Sequence, residues 1–370
     1  MSTTHSLLAP SSAHRWVPCP GSVSMCQQYP EDPESVDGME GTAAHEVASN
    51  LLAHGELAAV GSLTENGIAV TDEMIEGAQL WAASIPRADI VQIEQRIPIS
   101  AVHPACFGTP DAWTRHYNTI TVADYKFGHG YIGADNNWQL LAYTAGLYHE
   151  NWDEDMQIDH IIVQPRNYAP EGPVRKWSFS VTELKAAIVV MKAAADEAMG
   201  DSPLLHAGDH CLHCPAAHAC PALQGESQVS VDVAYTMQPS DMSPEAKGLM
   251  LIKINQAQAL LKAMGNGLEE SILSDIRGGG FVPGWEMTAG QGRTNWSKPI
   301  PEVVALGHML GAEFSKEACI TPIQAIALLK KKGVDSGIVD AYSTKVSGAP
   351  KLAPASLTLT KHIFGGVKWK

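Results

Sequence analysis

The chain has 370 residues, 45% of them hydrophobic, and a formal net charge of −15, a length that predicts two or three domains. No apolar run approaches the ~18 residues of a membrane span, and residues 1–6 (MSTTHS) lack a cationic stretch leading into an apolar core, so a non-exported chain in a reducing cytoplasm is expected. The acidic balance argues against a broad basic surface that coats nucleic acid, but not against an enzyme that brings metal cations to a phosphate.

Residues 1–39 are rich in Ser, Pro and Gly and read as loop, with Trp16 and Cys19 embedded. Glu40 to Ala53 reads as a helix ended by Gly55, and Thr71 opens a second helix to about Ser84. Ile90 to Ile99 alternates like a strand. Two apolar stretches within 107–127, joined at 117–119, read as a tight antiparallel pair. Asn136 to Tyr148 is an amphipathic helix with Leu140, Leu141, Ala145 and Tyr148 on one face. Strands over 157–164 and 174–179 and an Ala-rich helix over 181–199 follow. This order predicts an α/β (α+β) fold, a mixed central sheet flanked by helices. Residues 224–230 read as a linker, which divides the chain into a core (1–223) and a mainly helical accessory domain (231–370). The latter is expected to hold a long helix over 243–276, a hairpin over 281–296, short helices over 299–310 and 321–332, and a lysine-bearing tail.

Chemistry concentrates on the strand pair. Asp111 stands early in the first stretch, and Asp124 and Lys126 stand late in the second, so antiparallel pairing sets them side by side. Asp124 and Lys126 are two apart and leave the same face. Two carboxylates and an ammonium at one sheet end suit a divalent metal with a fixed cation beside it. Phosphodiester hydrolysis needs that combination: the metal takes oxygen ligands and polarises the phosphate, while the lysine steadies the attacking water or the developing charge. Gln139 and Tyr143 share a helix face. Glu40 reads as a helix N-terminal charge, and Glu94, on the preceding strand, is an additional candidate ligand.

Cys211, Cys214 and Cys220, spaced C-x2-C-x5-C, can hold one metal centre, with Cys19 between Pro18 and Pro20 as the candidate fourth ligand. Four thiolates suit zinc or a [4Fe–4S] cluster, and zinc could also recruit His213 or His218. Spacing alone does not separate these. Cys26, Cys106 and Cys319 stand apart and read as buried thiols. Lys330, Lys331, Lys332, Lys361 and Arg293 are candidate DNA contacts. Trp285 and Trp296 read as a hairpin core or as stacking platforms for unpaired bases.

Together these segments resemble the PD-(D/E)xK nuclease superfamily, in its RecB-like branch with a four-cysteine iron–sulfur cluster. Residues 40–45 (EGTAAH) look like that branch's first motif, 108–111 (GTPD) and 124–126 (DYK) like its second and third, and 139–143 (QLLAY) like its Gln-x-x-x-Tyr helix. One cysteine before this core and three after it are similar to the branch's split cluster. The likeness covers residues 10–222. The whole chain also resembles a phage- and prophage-associated family, whose C-terminal pattern is like residues 284–296. The third-motif acid is Asp rather than the commoner Glu, a departure the branch allows.

The resemblance implies a DNA exonuclease that works on single- or double-stranded ends, serving phage recombination or end processing with a recombination protein as partner. It implies that Asp111, Asp124, His45 and the backbone carbonyl of Tyr125 hold Mg²⁺ or Mn²⁺. Lys126 would position or activate water, with Gln139 and Tyr143 in support. Cys19, Cys211, Cys214 and Cys220 would carry the [4Fe–4S] cluster, with Zn²⁺ as the alternative. A non-catalytic DNA-end or protein-binding module and a zinc-stabilised structural protein are the competing expectations.

Overall fold

The structure, a computed structural model, describes residues 6–29, 36–167, 169–236, 242–290, 294–296, 298, 300–314, 321–345 and 348–354. Before residue 39, where composition favoured loop, the chain winds a 3-10 turn (Pro10–Ser12) and two short helices, α1 (Ala13–Trp16) and α2 (Ser22–Gln27). Burial of Leu8, Ala13 and Trp16 is what orders it. Helices α3 (Val36–His54) and α4 (Asp72–Ser84) follow, and the Thr71 hydroxyl caps α4 by accepting the Met74 N–H at 3.2 Å. The strand expected over 90–99 is two, β1 (Ile90–Ile93) and β2 (Ile97–Pro98), and the break falls at Glu94, which has φ 49°. Then come β3 (Phe107–Gly108), β4 (Ala112–His116), β5 (Thr119–Tyr125), α5 (Trp138–Leu147), β6 (Gln157–Val163), β7 (Val174–Ser180) and α6 (Val181–Ala198).

Five of these strands form a mixed sheet in the order β1-β4-β5-β6-β7, flanked by helices, as the sequence led us to expect. β4 and β5 are antiparallel, with Ala112 opposite Ala123, and β5 and β6 are parallel, with Asp124 opposite Ile162. A parallel step cannot be closed by a tight turn, and α5 is its crossover. On one face, Ile120, Val122, Ile158 and Ile162 pack against Leu140 and Leu141 of α5 and Leu184 and Met191 of α6. On the other, Ala123, Tyr125, Ile161 and Val163 meet Ala43, Ala44 and Val47 of α3 and Met74, Ala78 and Trp81 of α4. Successive residues of a strand face opposite ways. The end of β5 therefore sends Asp124 toward α5 and the Tyr125 ring toward α3 and α4.

Residues 224–230 are not a loop linker. They lie inside α7 (Pro221–Thr236), anchored by buried Leu223 and Ser227. Leu223 packs with Ala263 of α8 (Pro244–Arg277). The chain divides into two compact units, Met1–Ser271 and Ile272–Lys370, so the division falls within α8 rather than at the Gly/Ser/Gln stretch.

The second unit holds β8 (Trp285–Gly290), β9 (Thr294–Trp296), α9 (Ile300–Met309), α10 (Pro322–Lys331), β10 (Ser343–Lys345) and β11 (Gly348–Pro354). The expected 281–296 hairpin does not form among these residues: β8 pairs with β11, and β9 with β10. The segment after 341, read as a tail for its lysines, supplies the partner strands. Val303, Leu306, Phe314, Ala325, Leu329 and Val339 form this unit's core. Among the described residues, no helix is long and apolar enough to cross a membrane.

Candidate metal centre and cysteine recess

The expected residues gather at the end of β5. Asp111, entering β4, accepts the Tyr125 backbone N–H through Oδ2 at 2.7 Å, and the same oxygen lies 3.6 Å from His45 Nδ1. This hydrogen bond also holds the Tyr125 main chain, whose carbonyl was the expected ligand, against the carboxylate. The His45 and Tyr125 rings meet edge to face, 5.3 Å between centroids. Asp124 is 1% exposed; its Oδ1 accepts Gln139 Nε2 at 2.9 Å, and its Oδ2 lies 3.0 Å from Lys126 Nζ. Gln139 Oε1 accepts from Lys126 Nζ at 3.1 Å, and Gln139 Nε2 lies 3.5 Å from Tyr143 Oη. Asn137 caps α5 by accepting the N–H groups of Gln139 and Leu140, which fixes the turn from which Gln139 reaches both charged partners.

Glu94, marginal in the sequence, joins the site. His45, Glu94 and Asp111 each offer a ligand atom, and these atoms all lie within 4.8 Å of one another. Asp124 is outside that trio, engaged by Lys126 and Gln139. Glu94 adopts φ 49°, a left-handed conformation that costs a non-glycine residue about 1 kcal/mol, and its N–H donates to the Asp111 carbonyl at 3.1 Å. The strand break thus ties Glu94 to the chain segment that bears Asp111.

Crowded carboxylates resist ionisation here. Desolvation, then Asp111 and Asp124, pushes Glu94 up to about 7. Burial also pushes Asp124 up, with Lys126 opposing and Asp111 adding. Burial disfavours the Lys126 charge, but Asp124 and Asp111 outweigh it and hold the ammonium above its usual range. A carboxyl raised in the fold favours folding fully below its unfolded value and loses that contribution as pH climbs through the folded one. In protein stripped of divalent cations, stability should therefore fall between about pH 4.5 and about pH 7. Glu94→Gln should flatten part of that fall, and Mn²⁺ should offset it at neutral pH. Urea denaturation with chelator and with Mn²⁺, across that range, checks this; superimposable wild-type and Glu94→Gln curves would remove Glu94 from the site.

Arg166, which the sequence did not single out, braces α3 and α4. It donates to Glu40 from both Nη atoms, at 2.7 and 3.1 Å, and to Glu73 at 2.8 Å, with its Cζ 3.8 Å from the Phe127 ring centroid. Glu40 is accordingly half of a bidentate ion pair, beyond the helix-end charge expected of it. The available signal was topological: Arg166 follows β6, whose end runs parallel to the strand carrying Lys126.

Cys19, Cys211, Cys214 and Cys220, with His206 and His210, line a single recess. Cys19 Sγ accepts the His206 N–H at 3.3 Å, and Cys211 Sγ accepts the Gly208 N–H at 3.4 Å. Burial raises the Cys19 and Cys211 thiols, so these sulfurs bind as thiolates only if a metal displaces their protons. Among the described residues, no three of these sulfurs lie within 4.8 Å of one another. Cys106 is the expected buried thiol, donating to the Leu8 carbonyl at 3.1 Å and pushed up to about 12 by burial. Cys26 is not isolated: its Sγ lies 3.6 Å from Cys214 Sγ. Cys319 lies outside the described residues.

The expected DNA contacts are less gathered. Lys330 and Lys331 are exposed at the end of α10, where cations suit the helix dipole, and Lys332 Nζ donates to the Gly311 carbonyl at 2.5 Å. Arg293 and Lys361 lie outside the described residues, and Trp285 on β8 is 39% exposed.

Fold and site define an α/β protein with a carboxylate–imidazole cluster at one end of a mixed sheet. A family model described as "Protein of unknown function (DUF2800)" matches residues 5–358, and the chain belongs to that family.

Proposed function

We propose that the protein is a metal-dependent deoxyribonuclease, acting as an exonuclease on DNA ends in the bacterial cytoplasm, with a phage recombination protein as partner. The observation that carries this reading is the convergence of His45, Glu94, Asp111, Asp124, Lys126 and Gln139 at the end of β5. The carboxylates of Glu94, Asp111 and Asp124 outnumber the Lys126 ammonium, so the cluster by itself repels a phosphodiester. Mg²⁺ or Mn²⁺ bound there would reverse that field and lower the pKa of a coordinated water. His45 and Asp111 suit such an ion as imidazole and oxygen donors. Lys126 keeps its proton beside Asp124 and Asp111, and so serves as a fixed cation toward developing charge rather than as a base. Gln139 holds that ammonium and Asp124 in fixed relation.

For the cysteine recess, the reading is a [4Fe–4S] cluster held by Cys19, Cys211, Cys214 and Cys220, with Zn²⁺ on the same thiolates as the alternative.

The test is digestion of end-labelled single- and double-stranded DNA by anaerobically purified protein with Mg²⁺ or Mn²⁺. Release of short products from open ends, and none from closed circles, is expected. Undegraded DNA in both metals would end the nuclease reading, and retained end-binding in that case would favour a non-catalytic module.

A further inference from the structure

Cys214 stands between two environments. It lines the recess with Cys19, Cys211 and Cys220, and it touches Cys26, which does not line it. The two sulfurs are 188 residues apart in sequence and 3.6 Å apart in space. A disulfide needs about 2.05 Å, so bonding requires a movement of only ~1.5 Å. Both side chains are half-buried and within reach of a small oxidant, whereas Cys19, Cys211 and Cys220 are buried.

The elements bearing the pair are already docked. The Gly21 N–H, at the start of α2, donates to the Leu204 carbonyl at 2.8 Å, and a Cβ on Gly21 would stand 2.7 Å from that oxygen. Only glycine permits this approach, which holds α2 and Cys26 against the segment leading to Cys211. Cys214 itself sits at the end of a short 3-10 turn, in extended backbone outside any α-helix, where a small shift is inexpensive.

We propose that Cys26 is a resolving thiol for Cys214, and that a peroxide closes a reversible Cys26–Cys214 disulfide that withdraws Cys214 from the recess. The two S–H bonds break and one S–S bond forms. Two protons and two electrons pass to hydrogen peroxide, which becomes two waters. The consequence for metal loading rests on reading the recess as a metal centre; the disulfide itself does not.

The experiment uses the full chain, freed of metal under reductant and desalted, then treated with stoichiometric hydrogen peroxide. Non-reducing peptide mapping should give the Cys26–Cys214 linkage as the main product, reversed by dithiothreitol. Uptake of Fe²⁺ with sulfide, or of Zn²⁺, should drop severalfold in the oxidised wild type and return on reduction. Cys26→Ser, with Cys26→Ala as a second variant, should load equally with and without peroxide. A main linkage among other cysteines, or none, overturns the proposal. So does loss of metal uptake in reduced Cys26→Ser and Cys26→Ala, which would make Cys26 a ligand. If the linkage forms but neither iron nor zinc binds in any state, the disulfide stands and the metal reading of the recess falls.

Discussion

On the proposed nuclease reading, Lys126→Met is expected to lower Mn²⁺-dependent DNA cleavage by roughly 10³-fold, the scale of losing one fixed charge stabiliser at a reacting centre. The same change should leave the fold largely intact. Asp124, which Lys126 neutralises, is already pushed toward its protonated form by burial, so it can take up a proton rather than remain a buried lone anion. Asp124→Ala is a poorer probe. It leaves the Lys126 ammonium, 24% exposed, without its 3.0 Å partner and deprives Gln139 of its acceptor. Breaking a buried pair in this way costs about 3–5 kcal/mol. Single-turnover cleavage beside urea denaturation separates the two effects. Wild-type cleavage by a folded Lys126→Met protein would sink the assigned role.

The second large effect is expected from Arg166→Ala. Its guanidinium joins Glu40 of α3 and Glu73 of α4 and covers Phe127 just beyond β5. Removing it leaves two carboxylates facing each other and frees the helix that presents His45. Glu73 is 47% exposed, so the full cost of a buried pair does not apply, and about 2 kcal/mol of stability is the expected loss. Mn²⁺ affinity should fall by about 10- to 100-fold, the usual penalty for losing a residue that orients a ligand. Arg166→Lys keeps the charge without the fork and should fall between. Lost stability with unchanged Mn²⁺ affinity would show that the brace supports the fold alone.

The sheet was legible because local signals and tertiary packing agree there. The apolar run at 161–163 suits β6, buried on both faces, and the Ser180–Glu183 capping box that opens α6 is itself a local feature of the sequence. The pairing of β4 with β5 follows from the short connection at 117–118, and with it the juxtaposition of Asp111 with the Asp124–Lys126 strand end. Other features were hidden because they depend on distant residues. The break at Glu94 is a backbone departure inside a pattern that alternates normally. The Arg166 brace joins residues 126 positions apart, and the Cys26–Cys214 contact joins residues 188 apart. The 281–296 region carried a local hairpin signal that lost to partners roughly 50 to 70 residues on, in a segment whose lysines masked its strand character. Likewise, the composition of 224–230 suggested flexibility, but the burial of Leu223 and Ser227 prevailed.

Helix α8 backs the cysteine-bearing stretch of the first unit. Leu260, Ala263 and Met264 pack against the stretch that holds Cys211, Ala217 and Cys220, and Gly267 comes so near that an added Cβ would stand 2.9 Å from the His218 nitrogen. A fragment trimmed to residues 1–223 would arrive with its sulfur-bearing wall stripped of backing. Such a fragment should oxidise and aggregate on handling, whereas one extended through residue 271 keeps the roof in place.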